Sequence, residues 1–447
     1  MKPVFISRCL GAVLSASALQ LPAAAMASDN EWVLHSFSGN PDGAGPQAGV
    51  IDVKGMLYGT TANGGANCGS SGCGTVFSLD PKTDAEKVLY SFCSQQDCAD
   101  GWEPEAGLVD ANNALYGMAY SGGADKDKAC VFAGSDACGV VFSIDPATGA
   151  ETVVHSFEGY RSDGANPWTS LIDVNGTLYG TTTAGGDRDQ NCGGYFPAGC
   201  GMLFALDPNT GVETALHSFQ DNTKDGYAPY ASLIDTNGTL YGTTSVGGAN
   251  TGCGNGVGNG CGTVFALDPK AGAESVLYSF CSQFKKDVCA DGTWPFASLV
   301  EVNGMLYGTT WYGGVNDHGI STCEDQGCGT VFALDPTKGT ETVLYAFCTQ
   351  KKCADGALPE AGLIDVKGTL YGTSTEGGTF GGGTLFSLDP TTGKMTTLHA
   401  FGKGCQKNKC SDGYAPTSNL IDVAGTLYGT TSGGGTYMAG TVFAFKP

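Results

Sequence analysis

A single unit recurs seven times along the chain, and few architectures can accommodate it. Its Leu-Tyr-Gly core begins at Leu57, Leu115, Leu178, Leu240, Leu306, Leu370 and Leu427, with successive starts 57 to 66 residues apart. That spacing is too short for independent domains and suits one blade of a propeller with extended loops. The clearest copy runs from Trp168 to Thr182, through Gly185-Gly186 and a variable loop, then from Gly201 to Pro208 and from Glu213 to Phe219.

Each unit holds four strand-like runs, lettered a to d: Ser-Leu-Ile-Asp-Val, Thr-Leu-Tyr-Gly-Thr-Thr, Thr-Val-Phe-Ala-Leu-Asp and Thr-Val-Leu-His-Ser-Phe. Asn175-Gly176, Asn237-Gly238 and Asn303-Gly304 separate a from b, and this dipeptide favours the tight type I′ hairpin. Asp-Pro-x-Thr-Gly makes a second short turn between c and d. Runs a and b are rich in small residues while c and d carry Phe, Leu, Val, Tyr and His, a taper suited to wedges around an axis. A linear solenoid would also repeat, but the ends favour a ring. The first run after the leader is a d strand, Glu31 to Phe37, and the last is a c strand, Gly440 to Phe445. The N-terminal strand is therefore expected to complete the last blade of an all-β, seven-bladed propeller and to leave no open edge.

The strings Leu-Ile-Asp-x-x-Gly-Thr-Leu-Tyr-Gly-Thr-Thr and Gly-Thr-Val-Phe-x-Leu-Asp-Pro resemble the bacterial GloVer tandem repeats found in choice-of-anchor surface proteins. The resemblance spans essentially all of residues 31–445. It implies a propeller-like exported protein and brings no activity or catalytic residue with it. Where some relatives continue into a sorting tail, this sequence stops at its last strand.

Residues 1–27 read as an export signal: Lys2 and Arg8, an apolar stretch from Cys9 to Leu21, then Ala25-Met26-Ala27 before Ser28. Residues 28–447 are expected to form one propeller domain, secreted or periplasmic and monomeric. No later segment has the roughly 18 apolar residues of a membrane span. With 22 basic against 44 acidic residues, the chain would repel a phosphate backbone, so nucleic acid is not an expected partner.

Eighteen cysteines outside the leader fall in close pairs. Five pairs lie in b–c loops: Cys68/Cys73, Cys130/Cys138, Cys192/Cys200, Cys253/Cys261 and Cys323/Cys328. Four lie in d–a loops: Cys93/Cys98, Cys281/Cys289, Cys348/Cys353 and Cys405/Cys410. Every such loop holds two cysteines or none, which favours bonds within a loop, although spacing does not prove connectivity. In an antiparallel meander these two loop types emerge on one face, where the bonds are expected to hold long exposed loops in shape. Zinc held by two Cys-x4-Cys loops is the competing reading, but export favours oxidation and the ligands would have to converge from separate loops. No metal or cofactor is expected.

Residues present in every unit read as structural. The d-strand His35, His155, His217 and His399 alternate with Tyr90, Tyr278 and Tyr345. The aspartates before Gly (Asp42, Asp100, Asp163, Asp225, Asp291, Asp355 and Asp412) read as turn formers ahead of a cation-binding ring. His318 is the one histidine outside the repeated position. More informative are residues that break the repeat in the motif Asp-Gly-x-x-Pro-x before strand a and just after strand b. These are Trp102, Trp168, Tyr227, Tyr230, Trp294, Phe296, Trp311 and Tyr312, flanked by Glu103, Glu105, Glu360 and Glu376. Aromatic platforms beside carboxylates suit sugars, and clustered aromatics mark contact sites; plugging the channel is the bland alternative. The reading is an extracytoplasmic binding protein for a glycan or protein ligand. The alternative is a polysaccharide hydrolase or lyase using the acidic residues. The sequence has no nucleophile elbow, Walker loop, zinc-protease helix or dinucleotide fingerprint.

Overall fold

The computed structural model of the chain describes residues 30–124, 138–159, 163–186, 192, 199–222, 224–253, 260–285, 288–315, 320, 323, 326–405 and 410–447. The leader, Cys130 and His318 lie outside these residues. Two positive-φ residues turn strand a into strand b, as the Asn-Gly pairs predict: Asn175 sits at 55° and Gly176 at 85°. Units without Asn make the same turn with Lys54, Lys367 or Ala424, all between 53° and 57°. The strand-a aspartate supports it. Asp52, Asp365 and Asp422 each accept the N–H of the turn glycine at 2.8 to 3.0 Å.

These hairpins stack into seven antiparallel sheets of four strands. In the third, a (Ile172–Val174), b (Thr177–Thr182), c (Met202–Leu206) and d (Glu213–Ser218) lie side by side in that order. Strands a of neighbouring blades touch, such as Ile51–Val53 with Ile421–Val423, which places them innermost. The expected seven-bladed propeller is the fold. Its wedge shape depends on the glycine of Leu-Tyr-Gly: a Cβ on Gly59 would lie 2.6 Å from the Phe77 ring that covers it.

The ring closes where the chain ends meet. Glu31–Ser36 pairs antiparallel with Thr441–Phe445, Glu31 opposite Phe445 and Ser36 opposite Thr441. Every blade junction carries a contact between a Phe ending strand d and a strand-c Phe of the next blade, edge-on in six and tilted at 60° in Phe401–Phe443. These are Phe37–Phe77, Phe92–Phe142, Phe157–Phe204, Phe219–Phe265, Phe280–Phe332, Phe347–Phe386 and Phe401–Phe443, with centroids 4.9 to 5.4 Å apart. Such pairs add about 0.5–1.5 kcal/mol each beyond burial. Phe37–Phe77 and Phe401–Phe443, on either side of the closing blade, match the other five in centroid distance.

Outside this aromatic belt runs a polar one. The d-strand His or Tyr bonds the aspartate that precedes Gly: His217 Nε2 to Asp225 at 3.1 Å and Tyr278 Oη to Asp291 at 2.7 Å. The same aspartates accept backbone N–H groups just past strand d, from Gln220 and Ser282. They are turn formers tied to their own blade. A strand-d glutamate of the following blade completes each junction at Glu86, Glu151, Glu213, Glu274 and Glu341, and burial first, then the neighbouring aspartate, raises it to about 7, or about 8 for Glu341.

Eight disulfides join cysteines within one loop: Cys68–Cys73, Cys93–Cys98, Cys192–Cys200, Cys253–Cys261, Cys281–Cys289, Cys323–Cys328, Cys348–Cys353 and Cys405–Cys410. Cys138 is also disulfide-bonded. The expectation that these bonds sit in exposed loops needs correction. Cys68 and Cys405 are exposed, but the second cysteine of a pair is often buried, as at Cys73, Cys200, Cys261, Cys289, Cys328, Cys353 and Cys410. Cys410 is 1% exposed, because its carbonyl is drawn under the loop by the N–H groups of Gly413 at 3.1 Å and Gly435 at 2.7 Å. Each such bond ties a loop down to the blade beneath it. The loops also converge. The sulfurs of Cys68, Cys73, Cys93 and Cys98 lie within 4.8 Å of one another, as do those of Cys261, Cys281 and Cys289 and of Cys328, Cys348 and Cys353. Separate loops are therefore no geometric obstacle to a shared site, and what favours the disulfide reading over zinc is the pairing of these sulfurs within their loops.

Candidate functional site

The motif Asp-Gly-x-x-Pro-x carries each blade from its outer strand to the axis. Its backbone is clamped the same way seven times. The residue before Pro (Gly45, Glu103, Asn166, Ala228, Trp294, Leu358 or Ala415) takes a left-handed φ of 52° to 62°. Its N–H donates to a carbonyl of the preceding blade's b–c loop, which is Cys73, Cys138, Cys200, Cys261 or Cys328 in five cases. Its carbonyl accepts the N–H of the residue just after its own strand b: Trp311 N–H to Trp294 O at 3.0 Å, and Tyr120 N–H to Glu103 O at 3.0 Å. Six of the seven are not glycine, a conformation that costs about 1 kcal/mol or more per residue and persists where the surroundings enforce it. The disulfide-bonded loops thus hold the backbone that presents the variable residues.

The residue after Pro is the one that reaches the axis. Gln47, Glu105, Trp168, Tyr230, Phe296, Glu360 and Thr417, one from each blade, line a single cavity of about 320 Å³ together with Trp311. Deeper in the same cavity, Gly49, Gly107, Ser170, Ser232, Ser298 and Asn419 also line it. They are joined from blade to blade. Gly107 N–H donates to Ser170 Oγ at 2.9 Å, Ser170 N–H to Ser232 Oγ at 2.9 Å, and Asn419 Nδ2 to Ser298 Oγ at 3.0 Å. Gly49 must be glycine, since a Cβ there would lie 2.3 Å from the Asn419 carbonyl oxygen.

One wall of the cavity is a continuous aromatic chain from Trp168 to Trp311, with Tyr120 packed against its first member from outside the lining. Tyr120 meets Trp168 at 5.3 Å, Trp168 meets Tyr230 at 5.8 Å, Tyr230 meets Phe296 at 5.2 Å and Phe296 meets Trp311 at 5.2 Å. Behind these, Trp294 stacks on Trp311 at 5.9 Å, and Tyr312 packs against both. Trp168 remains 37% exposed. Two polar atoms in this cavity wall are buried without a hydrogen-bond partner, Trp311 Nε1 and Glu105 Oε2. Burial, then the charges of Glu103 and Glu360, pushes the Glu105 carboxyl up to about 7. Burial raises Glu103 and Glu360 as well. Among the described residues that line the cavity there is no Lys, Arg or His.

The candidate residues therefore divide by position. Trp168, Tyr230, Phe296, Trp311, Glu105 and Glu360 line the cavity. Trp294, Tyr312 and Glu103 support that lining from behind, and Glu376 acts on Tyr312, whose hydroxyl pKa is raised by burial and then by the Glu376 charge. Two need correction. Tyr227 is 1% exposed and packed in the blade core with Phe219 and Leu233, and Trp102 packs against a core cluster containing Tyr58 and Phe92; neither lines the cavity. Both occupy the first x of the motif, which pairs with the second residue after strand b rather than facing the axis; Trp102 pairs with Ser121 and Tyr227 with Val246. Tyr120 is the aromatic the sequence reading missed, and its position just after strand b, equivalent to Trp311, was the available signal.

The repeat itself decides the kinship. Residues 25–254, 130–323 and 255–443 each match the Gloeobacter/Verrucomicrobia repeat. The chain belongs to that family. No curated protein matches it in sequence. Among solved structures it is similar to an oligogalacturonate lyase in complex with manganese, at 11% identity over 94% of this chain and 99% of that one, with a TM-score of 0.47. It is also similar to a putative 6-phosphogluconolactonase from Bacteroides fragilis, at 13% identity over 85% and 88%, TM-score 0.45. A third is a putative 6-phosphogluconolactonase from Bacteroides uniformis, at 14% over 86% and 89%, TM-score 0.45. Likenesses this loose carry neither metal nor activity over to this chain.

Proposed function

We infer that this protein is an exported carbohydrate-binding propeller that takes a sugar unit into its axial cavity. The observation that carries the reading is the wall from Trp168 to Trp311 together with the unpartnered Trp311 Nε1 and Glu105 Oε2. Aromatic faces cover the C–H surface of a sugar ring, while a buried indole N–H and a buried carboxyl await hydroxyl groups; an unmade bond at each costs about 1–3 kcal/mol, which a ligand would recover. A volume of about 320 Å³ sits at the small end of the roughly 300–1,000 Å³ typical of ligand pockets, which favours a saccharide end over a protein surface. The disulfides fit an oxidising compartment, and among the described residues no helix is long and apolar enough to cross a membrane.

A hydrolase is the second reading, favoured by Glu105, a carboxyl raised to about 7 beside Glu360, as general acid catalysis requires. A lyase fits less well, since the described residues lining the cavity include no Lys, Arg or His to neutralise a uronate. The test is a glycan array on the mature protein, then titration of any hit with Trp311→Ala and analysis of the bound glycan for cleavage. Removing Trp311 should weaken binding about tenfold or more while the melting temperature moves little. Unchanged affinity with a large loss of stability would make the aromatics core and refute the reading.

A further inference from the structure

We propose that the saccharide taken by the axial cavity carries a free amine, so that the ligand class is a deacetylated amino sugar. The proposal rests on the sugar-binding reading above and specifies its chemistry.

The argument starts from the charges at the cavity. Glu105 and Glu360 flank the aromatic wall on either side, contributed by the blades before and after the aromatic three. Among the described residues that line the cavity, no cation answers them. Nor do the hydrogen bonds within the protein exhaust Glu105, whose Oε2 is buried and unpartnered. Two carboxyls turned into one small cavity form a poor site for a uronate, a sulfated sugar or a phosphosugar. For a neutral sugar one would suffice as a hydrogen-bond acceptor. An ammonium group answers both: it donates up to three hydrogen bonds to carboxylate oxygens, and aromatic faces add a cation–π attraction of about 0.5–2 kcal/mol.

The free cavity is consistent with this. Burial first, then the charges of Glu103 and Glu360, hold a proton on Glu105 near neutrality, and an entering ammonium would displace it. Binding then couples to release of up to one proton. The chain's net charge of −22 also favours the approach of a cation, an attraction that salt screens.

Calorimetric titration of the mature protein at pH 6.5 with three trisaccharides, of glucosamine, N-acetylglucosamine and glucose, tests this. The glucosamine trimer should bind at least tenfold tighter than the other two, release protons in buffers of differing ionisation enthalpy, and weaken as salt rises from 50 to 500 mM. Glu105→Gln and Glu360→Gln, matched for melting temperature, should each lose most of that preference, read as the ratio of glucosamine-trimer to glucose-trimer affinity in the same variant. Equal binding of all three trimers, or an amine preference that survives both substitutions, overturns the amino-sugar assignment but leaves the sugar pocket standing. If no trimer binds, or if binding survives Trp311→Ala, the pocket reading falls and the assignment with it.

Discussion

Glu341 offers a direct measure of how much the blade junctions resist charge. It lies on strand d of the fifth blade (Thr340–Ala346), is 8% exposed, and faces Tyr278 and Asp291 of the fourth. Tyr278 Oη and Gln283 Nε2 donate to its Oε2 at 3.4 and 3.3 Å, while Oε1 is buried and unpartnered. Burial, then the Asp291 charge, raises the carboxyl from its ordinary 4.5 to about 8. Between those two values the folded protein holds a proton that the unfolded chain does not. Stability therefore falls as pH rises through that window and levels off above it. Three and a half pH units correspond to a ceiling of nearly 5 kcal/mol; relaxation and residual solvent reduce this to about 2–3 kcal/mol. Glu341→Gln keeps the size and removes the titration. At pH 5 the variant should match the parent within about 1 kcal/mol, and at pH 8.5 it should be more stable by about 2–3 kcal/mol. For a propeller of this length that is roughly 3 °C in melting temperature. Scanning calorimetry of both proteins at pH 5, 7 and 8.5, with disulfides intact, reads the difference. Glu86, Glu151, Glu213 and Glu274 cancel in it, being present in both. Melting curves that keep a constant offset across this pH range, or a parent more stable at pH 8.5 than at pH 5, would refute the reasoning.

Non-reducing peptide mapping should return each cysteine pair within its own loop; peptides bridging Cys68/Cys73 to Cys93/Cys98, or a stoichiometric metal on the purified protein, would contradict that pairing. Deleting the strand Glu31–Ser36 with Phe37 removes Leu34 and Phe37 from the core, about 1.5–3 kcal/mol each, and strips Thr441–Phe445 of its partner. The truncated chain should aggregate or melt well below the parent, and a soluble monomer with an unchanged melting temperature would count against ring closure. Ala228 holds a left-handed φ of 53°, so Ala228→Gly should stabilise by roughly 0.5–1 kcal/mol, visible as a small rise in melting temperature; a fall would show that the methyl group's packing outweighs the strain.

How far the sequence exposes this site depends on which position of the motif a residue occupies. The repeat alone is enough for the blades, because Leu-Tyr-Gly and Asn-Gly encode strand and turn locally and the ring follows from the permuted ends. It also points to Glu105, Trp168, Tyr230, Phe296 and Glu360, since these break a regular pattern at one position, the residue after Pro. The same logic fails at Tyr227 and Trp102, two residues before Pro, where a large aromatic feeds the blade core and variation reflects packing. It fails again at Cys410, where a loop cysteine reads as exposed although glycines three and twenty-five residues further on hold it down. Regularity misleads in the other direction at Glu341 and its counterparts. A glutamate in most units reads as a solvated strand residue, because the aspartate and the His or Tyr it meets belong to the preceding blade, far back in the chain: Asp291 is 50 and Tyr278 is 63 residues before Glu341. Local pattern identifies what a residue does within its blade. What it does between blades depends on the ring, and there the variable position after Pro gives a cavity its chemistry only because all seven blades bring it to one axis.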